Sequence, residues 1–189
     1  MITINRKTDA LLVVDFQNDF ITGSLAVTGA EGLVAIINKY ISMFGKIFMS
    51  RDRHKPGHPS FVEQGGPWPD HCVDGTFGMK IHSGIVYPDG VAVALIDKGF
   101  DEEAYSAFDQ TNLAEMLRII KSERLFICGL ATDVCVKATV LDALKKFDGE
   151  TYVLIDASAA VDINPGDGDK ALKEMEKAGA KLITLKDLE

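Results

Sequence analysis

A cysteine that follows a buried strand and opens a helix is a candidate nucleophile, and Cys135 has that setting. It lies in Gly129-Leu130-Ala131-Thr132-Asp133-Val134-Cys135-Val136. The apolar run Leu125 to Cys128 precedes it and the helical spacing of Val136 to Leu144 follows it. A free thiol is only a few per cent thiolate at neutral pH, and unpaired N–H groups at a positive helix end can lower its pKa. The same N–H groups can hold a developing oxyanion. A buried cysteine is more often an inert small hydrophobe. Cys128, inside the apolar run, reads as core, and Cys72 is ambiguous.

Metal chemistry is suggested by Asp52-Arg53-His54, where two ligand types stand two residues apart and point the same way from an extended segment. His58 and His71 add further imidazoles, so three of the four histidines fall between positions 54 and 71. One carboxylate with two histidines and open positions suits an ion that also binds water or substrate. Zinc, iron and manganese all accept that set. Asp15, at the end of Leu11-Leu12-Val13-Val14, reads either as a turn cap or as a general base whose pKa burial would raise and a neighbouring cation would oppose. Lys98, after Val93 to Asp97, is the candidate for that cation. Phe20, Trp68 and Tyr105 can form an apolar slot for a flat substrate.

These residues are far apart in sequence, so the elements must gather them. Runs at Ala10–Val14, Lys46–Met49, Val91–Ile96, Leu125–Cys128, Tyr152–Ile155 and Leu182–Leu185 predict six short buried strands. Helical patterns at about Gly32–Phe44, Asn112–Lys121, Asp133–Phe147 and Gly168–Ala178 alternate with them, predicting a parallel sheet with helices on both faces. In such sheets ligands bind beyond the carboxyl ends of the strands. Asp15, Asp52 with His54, Lys98 and Cys135 all fall at or just after such ends. From Arg51 to Gly90 about forty residues rich in Pro, Gly, His and Asp lack periodicity, which a compact domain tolerates where the loop forms a site.

A length of 189 residues suits one domain spanning 1–189. With 28 acidic and 20 basic residues the net charge is -8, and no basic cluster is interleaved with aromatics, which argues against nucleic acid. The N-terminal apolar stretch stops at Asp15, too short for a signal peptide or membrane span. Three cysteines at irregular spacing fit a reducing, cytoplasmic setting. A small-molecule substrate is expected, and a homo-oligomer stays open. The first strand is not followed by GxGxxG, which argues against a nucleotide-binding domain.

Taken together, Asp15-Phe16-Gln17-Asn18-Asp19-Phe20, Asp52-Arg53-His54, Trp68-Pro69-Asp70-His71-Cys72-Val73, Tyr105-Ser106-Ala107-Phe108 and Gly129 to Val136 resemble the nicotinamidases (pyrazinamidases) of the isochorismatase-like cysteine hydrolases. The resemblance implies a three-layer α/β/α Rossmann-like domain with a six-stranded parallel sheet of order 3-2-1-4-5-6. It implies a triad of Asp15, Lys98 and Cys135, and metal ligands Asp52, His54 and His71, with His58 in an outer or water-mediated position. It also implies a cis peptide between Leu130 and Ala131, an oxyanion hole from the amides of Ala131 and Cys135, and a ring site at Phe20, Trp68, Tyr105 and Ala131. The implied activity is hydrolysis of nicotinamide to nicotinate and ammonia through a thioester, in NAD salvage, with pyrazinamide as an analogue substrate and zinc as the first choice of ion over iron or manganese. Another small-amide hydrolase on the same scaffold is the nearest rival.

Overall fold

Six apolar runs form one parallel sheet in a computed structural model that describes residues 1–189. The strands are β1 (Asp9–Val14), β2 (Lys46–Asp52), β3 (Ala92–Lys98), β4 (Arg124–Leu130), β5 (Glu150–Ala159) and β6 (Lys181–Ile183), and their spatial order is 3-2-1-4-5-6. Strand order reverses between β1 and β4, so a crevice opens beyond their carboxyl ends. All six residues of β1 are buried, as expected for a central strand covered on both faces.

The helices are α1 (Asn18–Ile21), α2 (Val34–Met43), α3 (Leu113–Ile119), α4 (Lys137–Lys146) and α5 (Asp167–Ala178). Leu11, Val13, Ile47, Met49 and Phe126 face Ile37, Tyr40 and Ile41 of α2. The alternate residues Ala10, Leu12, Val14, Phe48 and Ile127 face α3, α4 and α5 through Leu113, Leu117, Val140, Ala143 and Met175. The period of two along each strand thus divides the apolar side chains between two cores.

Four local features differ from the sequence reading. The helix expected from Gly32 starts as a 3₁₀ turn over Ala30–Leu33 before α2. Residues Asp133 to Phe147 do not form one α-helix, because Thr132–Val136 is a wide π-helical turn and α4 begins only at Lys137. β5 runs on to Ala159 after a register shift against β4 between Ile127 and Gly129. β6 stops at Ile183, and Leu185–Asp187 forms a 3₁₀ turn held by Asp187, which accepts from both the amide and the hydroxyl of Thr184.

Gly129 makes the close pairing of β4 with β1 feasible. Its φ is +114°, and a Cβ there would lie 2.2 Å from the Val14 carbonyl oxygen. A side chain would therefore push the end of β4, and the turn carrying Cys135, away from β1.

Candidate active site

At the end of β1 the chain turns sharply at Asp15, which has a φ of +47°. Ser50 of β2 donates its hydroxyl to Asp15 Oδ1 at 2.6 Å, fixing the carboxylate. Lys98 Nζ stands 3.0 Å from Asp15 Oδ2, ion-pairs with Asp52 Oδ1, and donates to the Ala104 carbonyl at 2.9 Å. Asp52 and Lys98 are partners in the β2–β3 register, so the parallel sheet itself places them side by side. Cys135 Sγ lies 3.8 Å from Lys98 Nζ, and within 4.8 Å of carboxylate oxygens of both Asp15 and Asp52. All four side chains are buried.

The electrostatics follow from that burial. Burial raises the Asp15 carboxyl above its ordinary value, Lys98 opposes the rise and Asp52 adds to it. Burial also pushes at Asp52, but Lys98 and His54 outweigh it and hold that carboxyl below its usual range. Desolvation disfavours the Lys98 ammonium, yet Asp15 and Asp52 together keep it firmly charged. The thiol departs from the sequence expectation. Burial, reinforced by Asp15 and Asp52, carries Cys135 well above its ordinary value, and Lys98 does not offset them. A favourable helix end is worth only about 0.3–2 kcal/mol. Burial thus opposes the thiolate, and Asp15 is the neighbouring base within reach of the sulfur.

The turn around Cys135 is shaped by the Leu130–Ala131 peptide, which is cis. The Ala131 carbonyl accepts the amides of Val134 and Val136, both at 3.0 Å, and skips that of Cys135. The bond from Val136 makes the turn π-helical. Cys135 and Ala131 thus face the same cavity.

Beside this cluster lies a corner suited to a cation. One ligand atom each from Asp52, His54 and His71 falls within a 4.8 Å span, all buried. The Nε2 atoms of His54 and His71 stand 3.6 and 3.8 Å from Asp52 Oδ2. Each ring turns its Nδ1 to a carbonyl, His54 to Gly99 at 2.6 Å and His71 to Pro69 at 2.7 Å. That hydrogen bond leaves Nε2 with a free lone pair, the arrangement a metal-binding histidine needs. His54 Nε2 is buried without any partner, so the trio fits a divalent ion on its own geometry. The His58 ring lies tilted against that of His54 with centroids 4.3 Å apart, but its Nδ1 accepts from the Ser60 amide, and it lies outside the close trio.

His71 reaches His54 because the long loop is pinned by backbone and side-chain hydrogen bonds. The His54 amide donates to the Cys72 carbonyl and the Asp74 amide to the His54 carbonyl, at 3.0 and 2.8 Å. Asp19 accepts the Cys72 amide at 2.7 Å. Gln17, fully buried, accepts the Asp52 amide and donates to its carbonyl, each at 2.8 Å. An amide side chain can serve both backbone groups at once, which fixes the end of β2.

A cavity of about 420 Å³, counting its mouth, joins the two clusters. Phe20, Trp68, Tyr105 and Ala131 line it with Asp52, His71 and Cys135. Trp68 Nε1 donates to the Tyr105 hydroxyl at 3.1 Å, and the Phe20 ring stands 5.5 Å from that of His71. Leu130 and Val134 of the nucleophile stretch also contribute, with Leu25, Val27, Glu103 and Val161, which no sequence motif marks as site residues. Glu103 and Val161 stand in segments without periodicity, where no local signal points toward the cavity.

A thiol, an adjacent buried carboxylate and a cation corner at one apolar slot are the parts a hydrolytic site needs, carried here at the carboxyl ends of a parallel sheet. Residues 9–187 match the isochorismatase domain, and the chain belongs to that family. It is 37% identical to the nicotinamidase of Escherichia coli (strain K12), with 95% of this chain and 96% of that protein covered. The structure of the pyrazinamidase of Pyrococcus horikoshii in complex with zinc is 41% identical and superposes with a TM-score of 0.86, over 94% of this chain and 99% of that one. PnC1 from L. infantum in complex with nicotinate is 36% identical, with a TM-score of 0.91 over 100% and 98% of the two chains.

Proposed function

We propose that the protein is a nicotinamidase, which hydrolyses nicotinamide to nicotinate and ammonia and takes pyrazinamide as an analogue. The observation that carries this reading is that Cys135, with Lys98 and Asp15 packed behind it, opens onto the same apolar slot as Asp52 and His71. The nicotinamidase and pyrazinamidase relatives support the choice of amide.

The carboxamide enters the slot between Phe20, Trp68 and Tyr105. Asp15, ionised beside Lys98, takes the Cys135 proton as the sulfur attacks the amide carbon. The amide π pair moves onto oxygen, where the N–H groups of Ala131 and Cys135 receive it. Collapse of the adduct breaks the C–N bond, and Asp15 returns its proton to the leaving nitrogen, releasing ammonia and leaving a thioester. Water then adds to the thioester with Asp15 again as base. The C–S bond breaks, the proton goes back to sulfur, and nicotinic acid departs, giving up its carboxyl proton to solvent to become nicotinate. Lys98 remains charged throughout and keeps Asp15 ionisable in a buried place.

Asp52, His54 and His71 would hold one divalent ion, with zinc the first choice. Such an ion supplies a positive centre that can accept a ring nitrogen lone pair and acidify bound water. His58 supports His54 from behind. The whole chain acts as one catalytic unit, in the cytoplasm, where three unpaired cysteines persist and nicotinate can feed pyridine nucleotide synthesis.

The direct test is ammonia release from nicotinamide by the purified protein beside Cys135→Ala. Release in the wild type and its loss in a folded variant are expected. Equal release by both would end the covalent route, and no release by metal-loaded wild type would reject nicotinamide as substrate.

A further inference from the structure

We infer that Asp133 is a positioning residue, which latches the segment after β5 onto the nucleophile turn and so sets one wall of the substrate slot. The inference rests on the nicotinamidase reading for its kinetic consequences.

Asp133 lies two residues before Cys135, inside the π-helical turn. Its neighbours Val134 and Cys135 line the cavity, but its own carboxylate serves another segment. Oδ1 accepts the Val161 amide at 2.9 Å and Oδ2 accepts the Asp162 amide at 2.8 Å. Two adjacent backbone donors thus converge on the two oxygens of one carboxylate, a geometry that fixes direction as well as distance. Val161 lines the same cavity as Val134 and Cys135. The ordering continues outward, because Asp162, at a φ of +51°, accepts the Gly168 amide at 2.8 Å in the first turn of α5.

Without this carboxylate the two amides have no partner in place, and nothing in sequence ties the segment to the cavity. β5 has already ended at Ala159, so Val161 has no strand neighbours to hold it. The carboxylate therefore converts a wall borne on a loop into part of the same rigid unit as the cysteine. Displacement of that wall loosens the apolar contact Val161 offers a bound ring, which weakens ground-state and transition-state binding alike.

The test is a double-mutant cycle of Asp133→Ala with Val161→Ala, reading KM and kcat for nicotinamide, with Asp133→Asn as the conservative variant. Asp133→Ala should raise KM by about tenfold, more than it lowers kcat, since the wall contributes to binding the ring and takes no part in bond making. Val161→Ala should raise KM similarly, and the double variant should be little worse than either alone. Asp133→Asn keeps one acceptor and should fall between. Effects that multiply in the double variant would overturn the inference. An independent arm uses the wild type alone. The amides of Val161 and Asp162 should exchange slowly with deuterium, although they follow the end of a strand, and unprotected exchange at both would refute the latch even if the variants failed to fold. If the wild type releases no ammonia, the nicotinamidase reading fails separately and the exchange arm still decides the role of Asp133.

Discussion

Replacing Lys98 with Met removes one buried cation from between two buried carboxylates, and the size of the effect can be worked from the contacts. Lys98 Nζ holds Asp15 Oδ2 at 3.0 Å, pairs with Asp52 Oδ1, and donates to the Ala104 carbonyl at 2.9 Å. Met preserves most of the stem, so the packing loss is small and the charge loss dominates. Breaking one buried pair by removing a partner costs about 3–5 kcal/mol, because an uncompensated charge remains. In a protein of 189 residues that corresponds to a fall in Tm of about 6–20 °C. The pH dependence has a definite sign. Asp15 already sits above its ordinary value with the lysine present and rises further without it. A raised carboxyl favours the folded state while protonated, and that contribution is lost as pH climbs through its folded pKa. Asp52, held low in the wild type, loses its stabilising partner in the variant. The deficit of Lys98→Met should therefore be full at neutral pH and shrink in mildly acidic buffer. Urea denaturation of both proteins, stripped of divalent metal, measures it at the two conditions. A deficit under about 1 kcal/mol, the scale of an exposed pair, or one that grows in acid, would refute the reasoning.

Three further outcomes follow from the same contacts. Asp52→Ala combined with His54→Ala should lower affinity for a divalent ion by more than about 100-fold, as read by elemental analysis after dialysis, and stoichiometric retention would place the metal elsewhere. Gly129→Ala should destabilise by about 2–6 kcal/mol, from strain at a φ of +114° together with a Cβ 2.2 Å from the Val14 oxygen; an unchanged denaturation midpoint would contradict the close β1–β4 approach. Alkylation of Cys135 by iodoacetamide should be slow at neutral pH and keep accelerating past pH 9.0, the ordinary thiol value, because burial and two carboxylates oppose the thiolate; a plateau below that pH would show a preformed thiolate instead.

The sequence by itself determined the alternation of strands and helices, because buried parallel strands must be continuous apolar runs and covering helices must be amphipathic. It also marked Asp15, Asp52, His54, His71, Lys98 and Cys135, whose residue types carry chemistry and whose positions fall at strand ends. Their convergence followed from a general property of parallel sheets. Only the tertiary structure decided what surrounds them. The acidity of Cys135 depends on burial beside Asp15 and Asp52, which are more than eighty residues away in sequence, so the helix-end argument pointed the wrong way. The π-helical turn depends on a bond from Val136 back to Ala131, and spacing does not distinguish it from an α-helix. The length of β5 depends on its shifted register with β4. Gln17, Asp19 and Asp133 acquire their tasks because backbone amides at Asp52, Cys72 and Val161 come within reach, and a single chain of letters carries no record of which distant amide a polar side chain will meet.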